Sequence, residues 1–362
     1  MSTVNARTTA LVGLALRAGC GGRVEPGAEP GSGSEFDAAS GTQDGSRVAR
    51  DGGPDATRGS TPASRDAGEV DAVAMMLGLD DTSIYWTINI FSGPRALGLP
   101  ILKAPLLGGQ LATLARGQDT FGIALDSTGA YWSDSVFTDA GNDGFRMMAT
   151  PLAGGATVTL AHDPSASYRL TANGTSLFWA DIDGSVIALP RGGSAMTLAS
   201  NQGTVWGDSM AADAVTLYWV GHGTSGQHSV VSASVAGGLV TTLVTMAPSS
   251  QSHSSRVALD ANRVYWTTTW SGGDVMAVPR AGGAASTLAS GQYYPSAIAT
   301  DGVNVYWTTG LDGRGAGNGD VIRMPAAGGT PTTLASEPGQ LFDIAVDATS
   351  VYWSQVRKLT PK

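Results

Sequence analysis

A pair of adjacent aromatic residues, the second always tryptophan, recurs seven times in this chain: Tyr85-Trp86, Tyr131-Trp132, Phe178-Trp179, Tyr218-Trp219, Tyr265-Trp266, Tyr306-Trp307 and Tyr352-Trp353. Subtracting successive tryptophan numbers gives intervals of 46, 47, 40, 47, 41 and 46 residues. A short apolar run, usually closed by aspartate, precedes each pair ("LGLD", "IALD", "LTAN", "MAAD", "VALD", "IATD", "IAVD"). After six of the pairs comes a second apolar run, ending near proline in five of them, as in "VIALP" and "VMAVP", and followed by Gly-Gly and then "TLA" or "TLV". A unit of this length that cannot bury its apolar face alone must stack on its neighbours, which is the logic of repeat architectures.

Each unit reads as four short strands. An Asp-x-x-x turn separates the first two, and a Gly-Gly hairpin, which supplies positive φ, separates the last two. Four antiparallel strands in a repeat of about 40–45 residues predict a blade of an all-β propeller. Strand counting finds a first and a Tyr-Trp strand in all seven units, six clear third strands with "VRKL" (Val356 to Leu359) as a seventh, and six "TLA" strands. That is one strand short of seven complete blades. Seven four-stranded blades are therefore expected over residues 72–362, with six as the alternative, and closure by a strand around Glu69 to Val73.

"IAVDATSVYWS" and "IALDSTGAYWSD" resemble the YWTD propellers typified by lipoprotein-receptor class B repeats, and more loosely the NHL- and TolB-like bacterial propellers. The resemblance spans Val73 to Lys362. It implies a propeller, usually six-bladed, that serves as a recognition platform, and it implies no particular ligand. The aspartate after the aromatic pair is kept only at Asp134 and Asp181.

Alternation along a strand sends Tyr and Trp to opposite faces, so the pairs are expected to fill the gaps between stacked blades rather than to cage a ligand. In a four-stranded meander the 1–2 and 3–4 loops emerge on one face, and these are uniform here. The 2–3 loops and 4–1 crossovers emerge on the other face and vary in length and content. All four histidines (His162, His222, His228, His253) and most aromatics outside the repeat fall in that variable set. Variable loops on a rigid scaffold are where binding residues concentrate. The candidate ligand face comprises Arg169, Trp206, His253, Arg256, Trp270, Tyr293, Tyr294 and Asp343. Arg169, Arg256 and Asp343 precede first strands and so should stand at the channel mouth, where paired guanidinium donors suit a carboxylate or phosphate unless Asp343 engages one of them.

The N-terminus points to export. "MSTVNARTTALVGLALRAGC" has one early arginine, an apolar stretch from Thr8 to Leu16 too short to span a bilayer, and small residues before Cys20. "LRAGC" resembles a bacterial lipobox, which makes Cys20 the lipidation candidate, although Arg17 stands where leucine is usual; an ordinary secretory signal is the other reading. From Gly21 to about Asp71 the chain is Gly, Ser, Ala, Asp, Pro and Arg with one aromatic residue, Phe36, a composition that reads as a disordered tether.

Other chemistry is thinly supported. Net charge is −9 with no basic run, which excludes a phosphate-tracking surface and hence nucleic acid. The single cysteine excludes a disulfide framework or a cysteine zinc cluster. "DAGNDG" (Asp139 to Gly144) and "LDGRGAGNGD" (Leu311 to Asp320) carry oxygens at spacings calcium uses, but in hairpins where Gly, Asn and Asp are ordinary turn residues. "GHGTSGQH" (Gly221 to His228) has two histidines without a third recognisable ligand. No cofactor and no metal are expected, and no catalytic residue is assigned. The function expected is a non-enzymatic recognition or scaffold propeller of the bacterial cell envelope. It would be a monomer, held to the membrane only through a lipid anchor, and would bind a glycan or protein partner on the variable face. The alternatives are a propeller lyase or hydrolase with a histidine base at the channel mouth, and a module with no ligand of its own.

Overall fold

A computed structural model describes residues 20–24, 72–90, 98–138, 141–203, 205, 209–222, 227–246, 253–310 and 318–356. The chain divides into two units, Met1–Ala28 with Val70–Lys362 and Glu29–Glu69, and every described residue belongs to the first.

Strand β1 (Cys20–Val24) comes first in the chain. Blade 1 is β2 (Ala72–Leu79), β3 (Ser83–Ile90), β4 (Leu99–Pro105) and β5 (Ala112–Gly117). Blade 2 is β6 (Thr120–Asp126), β7 (Gly129–Thr138), β8 (Gly141–Thr150) and β9 (Val158–Asp163). Blade 3 is β10 (Ala166–Ala172), β11 (Ser176–Asp181), β12 (Val186–Pro190) and β13 (Met196–Ala199). Blade 4 is β14 (Met210–Ala212), β15 (Thr216–His222), β16 (His228–Ser234) and β17 (Thr241–Met246). Blade 5 is β18 (His253–Leu259), β19 (Arg263–Thr269), β20 (Ser271–Pro279) and β21 (Ser286–Tyr293). Blade 6 is β22 (Ile298–Thr300), β23 (Asn304–Thr308), β24 (Asn318–Pro325) and β25 (Thr332–Pro338). The last repeat contributes β26 (Gln340–Val346) and β27 (Val351–Val356).

The first strands β2, β6, β10, β14, β18, β22 and β26 contact one another in that order, and β26 returns to β2, so they line a closed ring. The propeller of four-stranded antiparallel blades is thus as expected, but among the described residues the four-stranded blades number six, the alternative count, rather than seven. The remaining sector holds a three-stranded sheet, in the order β1-β27-β26. Its third strand is neither of those anticipated. Val356 ends β27, and residues 357–362, with the rest of "VRKL", lie outside the described residues. Of the segment proposed to close the ring, Glu69 to Val73, only Ala72 and Val73 are described, and they begin β2, the inner strand of blade 1. The strand beside β27 is β1, with Arg23 opposite Tyr352 and Val24 opposite Val351. Of the expected tether, Gly21–Val24 lie in this strand, and residues 25–71 lie outside the description.

Period-two alternation places the aromatic pairs as expected. The Tyr (or Phe) of each blade enters a buried cluster with the Trp of the next: Tyr85 with Trp132, Tyr131 with Trp179, Phe178 with Trp219, Tyr218 with Trp266, Tyr265 with Trp307, and Tyr306 with Trp353. Each ring contributes on the order of a few kcal/mol through the area it removes from water.

The aspartate closing the first strand has its own task. Asp301 Oδ1 accepts the Val303 and Asn304 N–H groups at 2.8 and 2.6 Å, and Oδ2 accepts the Tyr306 hydroxyl at 2.7 Å. Asp80 with Tyr85, Asp260 with Tyr265 and Asp347 with Tyr352 repeat the arrangement; at Asp126 the Tyr131 hydroxyl shares Oδ1 with the turn at 3.2 Å, and in blade 4 Asp213 caps its turn while the Tyr218 hydroxyl takes Arg280 Nε instead. The carboxylate builds an Asx turn and clamps the aromatic of the next strand. In blade 3 both partners change together: Asn173 caps Thr175 and Ser176, and the ring is Phe178, which has no hydroxyl to receive.

Candidate functional site

Where the inner strands reach the variable face, the ladder is irregular. Register shifts fall between Ala74 and Leu77, Phe121 and Ala124, Ala166 and Leu170, Ser254 and Val257, and Leu341 and Asp343. A bulge leaves residues out of the ladder and re-aims their side chains. Met76, Gly122, Arg169, Arg256 and Phe342 therefore occupy bulges at the channel mouth. Nothing in the residue types announces these bulges.

The mouth arginine Arg256 does not wait for a ligand. Its Nη1 donates to Asp343 Oδ1 at 2.6 Å, and its Nη2 reaches Met76 Sδ at 3.2 Å and the Phe342 carbonyl at 3.3 Å. Asp343 also accepts the Leu77 N–H at 2.8 Å and the Ile344 N–H at 2.7 Å. The two side chains are only 12% and 3% exposed. This pair ties blade 5 to the three-stranded sheet and to blade 1 across the mouth. The sequence allowed that Asp343 engages one of the mouth arginines, and the structure shows that pairing for Arg256. Arg169 is half-buried at the bulge of blade 3.

The aromatic candidates behave differently. Trp270 forms the turn between β19 and β20, and its carbonyl accepts the N–H groups of Gly273 at 3.0 Å and Tyr294 at 3.1 Å. Gly272 has φ of +93°, and a side chain there would meet the Trp270 ring. At Gly273 a Cβ would stand 1.9 Å from the Thr268 carbonyl oxygen, so only glycine fits. Ser271 pairs with Tyr293 at the end of β21, and the Tyr293 and Tyr294 rings meet edge-to-face with centroids 5.0 Å apart. Tyr293 is 47% exposed, while Trp270 and Tyr294 are half-buried. Tyr294 has φ of +45°, an uncommon conformation for a bulky residue. The hydroxyls of Thr269 and Thr267 bond the carbonyls of Pro295 and Ser296 at 2.8 and 2.6 Å and hold this corner down.

Trp270, Tyr293 and Tyr294 thus converge at one corner of blade 5. His253 starts β18 opposite Thr269 on the same edge; its side chain, like the whole of Trp206, lies outside the description. Of the other histidines, His222 and His228 pair across the β15–β16 hairpin of blade 4, away from His162. His162 belongs to β9, the outer strand of blade 2, and its Nε2 lies 2.9 Å from the Asp143 carbonyl.

Sequence reasoning gave no functional role to three carboxylates on this face. Asp274, just beyond the Trp270 turn, is pushed up by burial alone. Asp181 is pushed up to about 6 by burial and by its hydrogen bond with Asp183. Asp134, one of the two aspartates in the YWTD-like position, is buried and accepts the Gln118 and Asp119 N–H groups at 2.6 and 3.1 Å and Arg146 Nη2 at 2.9 Å. It pins the crossover from blade 1 to blade 2. Of the two suggested calcium loops, residues 139–140 and 311–317 are not described; among the described residues, no three or more His, Cys, Asp or Glu gather around one point.

Hollows open on the opposite, uniform face, among them the following two. One of about 630 Å³ lies between blades 2 and 3, lined by Tyr131, Leu177, Leu189 and the paired Asp126 and Arg191. The other, about 620 Å³, is rimmed by the turn aspartates Asp213, Asp260, Asp301 and Asp347, with Arg280 paired to Asp213.

The architecture and its sites define a β-propeller with one regular and one irregular face. No protein-family model and no curated protein matches the chain. Among solved structures, a prolyl endopeptidase is similar with a TM-score of 0.54 at 11% identity, over 74% of this chain and 42% of its own length. The computationally designed Ika8 protein is similar with a TM-score of 0.53 at 12% identity, over 79% and 94% of the two chains. The putative TolB from Agrobacterium tumefaciens reaches a TM-score of 0.49 at 11% identity, over 69% and 95%. At such identities the first two likenesses show the fold, and this chain spans less than half of the peptidase's length.

Proposed function

We propose that this propeller is a non-enzymatic recognition module of the bacterial cell envelope whose ligand docks on the corner formed by Trp270, Tyr293 and Tyr294. The convergence of these three rings on the variable face carries the reading. Tyr293 offers exposed aromatic surface beside the half-buried Trp270 and Tyr294 on a strapped-down turn, and the left-handed backbone at Tyr294 is held in place at a cost on the order of 1–3 kcal/mol. The ligand favoured is a glycan, whose flat C–H faces suit an exposed aromatic ring and whose hydroxyls suit the Asp274 carboxyl nearby in sequence. The envelope location rests on the export-like N-terminus and Cys20. A lyase or hydrolase with a histidine base at the mouth has less support, because Arg256 is engaged by Asp343 and His162 sits on an outer strand.

The test is a thermal-shift screen of the full chain against envelope glycans and peptides, repeated with Tyr293→Ala. A glycan should raise the midpoint, and Tyr293→Ala should abolish the rise without lowering the unliganded midpoint by more than a few degrees. A peptide hit lost in the same variant would reassign the ligand to a protein partner. A rise unaffected by Tyr293→Ala would move the site elsewhere.

A further inference from the structure

The hairpin between β15 and β16 brings together two histidines that are six residues apart in the chain. His222 and His228 face each other as the last rung of that ladder, and their ring centroids lie 4.1 Å apart at 61°. His228 is 5% exposed and His222 is half-buried. His222 Nε2 and His228 Nδ1 are both withdrawn from solvent. A neutral imidazole presents a nitrogen lone pair, the commonest metal ligand in proteins.

We propose that His222 and His228 form a two-histidine site for a borderline transition-metal ion (Cu²⁺, Ni²⁺ or Zn²⁺) on the variable face of blade 4. An ion about 2.0–2.1 Å from a ring nitrogen stands roughly 3 Å from that ring's centroid. Two rings sharing it at about a right angle therefore have centroids roughly 4.5 Å apart, a small adjustment from the spacing seen. Imidazole suits these ions and not Mg²⁺ or Ca²⁺, which take oxygen ligands. Because no third ligating side chain joins the pair among the described residues, water or a bound partner completes the coordination, and the ion exchanges readily. The sequence carried no expectation of a metal here. It is the strand register that turns a six-residue interval into a facing pair. The site does not depend on the aromatic corner of blade 5.

The test is calorimetric titration of tag-free, full-length protein with NiCl₂, ZnCl₂ and CuCl₂, using MgCl₂ and CaCl₂ as controls. One equivalent of each transition metal should bind saturably, most tightly Cu²⁺. Affinity should fall at least tenfold in His222→Gln and in His228→Asn, and should be unchanged in His162→Gln. Should the buried His228 variant fail to fold, the Cu²⁺ electron paramagnetic resonance spectrum of the unaltered protein serves instead, and it should show coupling to imidazole nitrogen. Absence of one-equivalent binding, wild-type affinity in His222→Gln, or a spectrum without nitrogen coupling would each overturn the proposal.

Discussion

At the scale of single residues, the aspartate five positions before each tyrosine hydroxyl is the most informative side chain. Burial alone would raise the Asp301 pKa, but hydrogen bonds from Asn304, Tyr306 and Val303 outweigh it and hold the carboxyl below its ordinary value. Tyr306 is pushed well above the ordinary tyrosine range, by burial first and then by donating to Asp301. The natural Asn173–Phe178 combination shows that the clamp can be dispensed with when both partners change. Asp301→Asn and Tyr306→Phe should therefore each lower stability by about 0.5–1.5 kcal/mol, and the double variant by less than their sum. Urea denaturation of the four proteins gives the coupling, and strict additivity would show that the Asp–Tyr contact does no work. The clamp was legible in part. The Asp-to-Tyr spacing and its Asn–Phe exception stand in the sequence, but that the carboxylate reaches the hydroxyl is a property of the turn.

At the scale of elements, ring closure is where sequence and structure parted. Blade repeats were readable because period-two alternation and Gly-Gly hairpins recur in each. Strand β1, "CGGRV", matches none of them, is glycine-rich, and is separated from β2 by residues 25–71, so no local pattern could join it to β27. The bulges that set Arg256 and Asp343 at the mouth were equally silent, since each depends on how two strands slip rather than on composition. With both ends of the ring meeting here, the Asp343 carboxylate carries an unusual share of closure: it holds the Leu77 N–H of blade 1 and Arg256 of blade 5 at once. Removing one partner of such a buried pair leaves the other charge uncompensated. Asp343→Ala should cost about 3–5 kcal/mol, measured as a fall in the denaturation midpoint. A loss near that of an exposed aspartate, such as Asp81→Ala, would show that the pair is dispensable to closure.

For the whole molecule, pH dependence follows from two opposed sets of carboxyls. Asp80, Asp126, Asp301 and Asp347 are held below the ordinary carboxylate value in the folded state, despite burial, by hydrogen bonds to their turns and tyrosines and, at Asp126, by Arg191. Their contribution is present above pH ~4 and is lost as pH falls through their folded values. Asp181, raised to about 6, and Asp274, raised by burial, act the other way: their contribution is complete below pH ~4 and is lost as pH rises through their folded values. Stability should therefore peak between about pH 4 and 6. Asp181→Asn should flatten the decline above the peak and leave the acid limb unchanged, as read from melting curves across pH. A decline above pH 6 as steep in Asp181→Asn as in the wild type would refute the assignment.

The division of labour between repeated pairs and unrepeated loop aromatics is the central claim, and the tryptophans of one blade, Trp266 and Trp270, test it directly. Ligand affinity and unfolding free energy should be measured together for Trp266→Ala and Trp270→Ala. Trp266, fully buried against Tyr218, should cost about 3–5 kcal/mol of stability, with any folded fraction binding normally. Trp270→Ala should change stability by less than about 1.5 kcal/mol and reduce affinity at least tenfold. Unaltered affinity in Trp270→Ala would contradict the account.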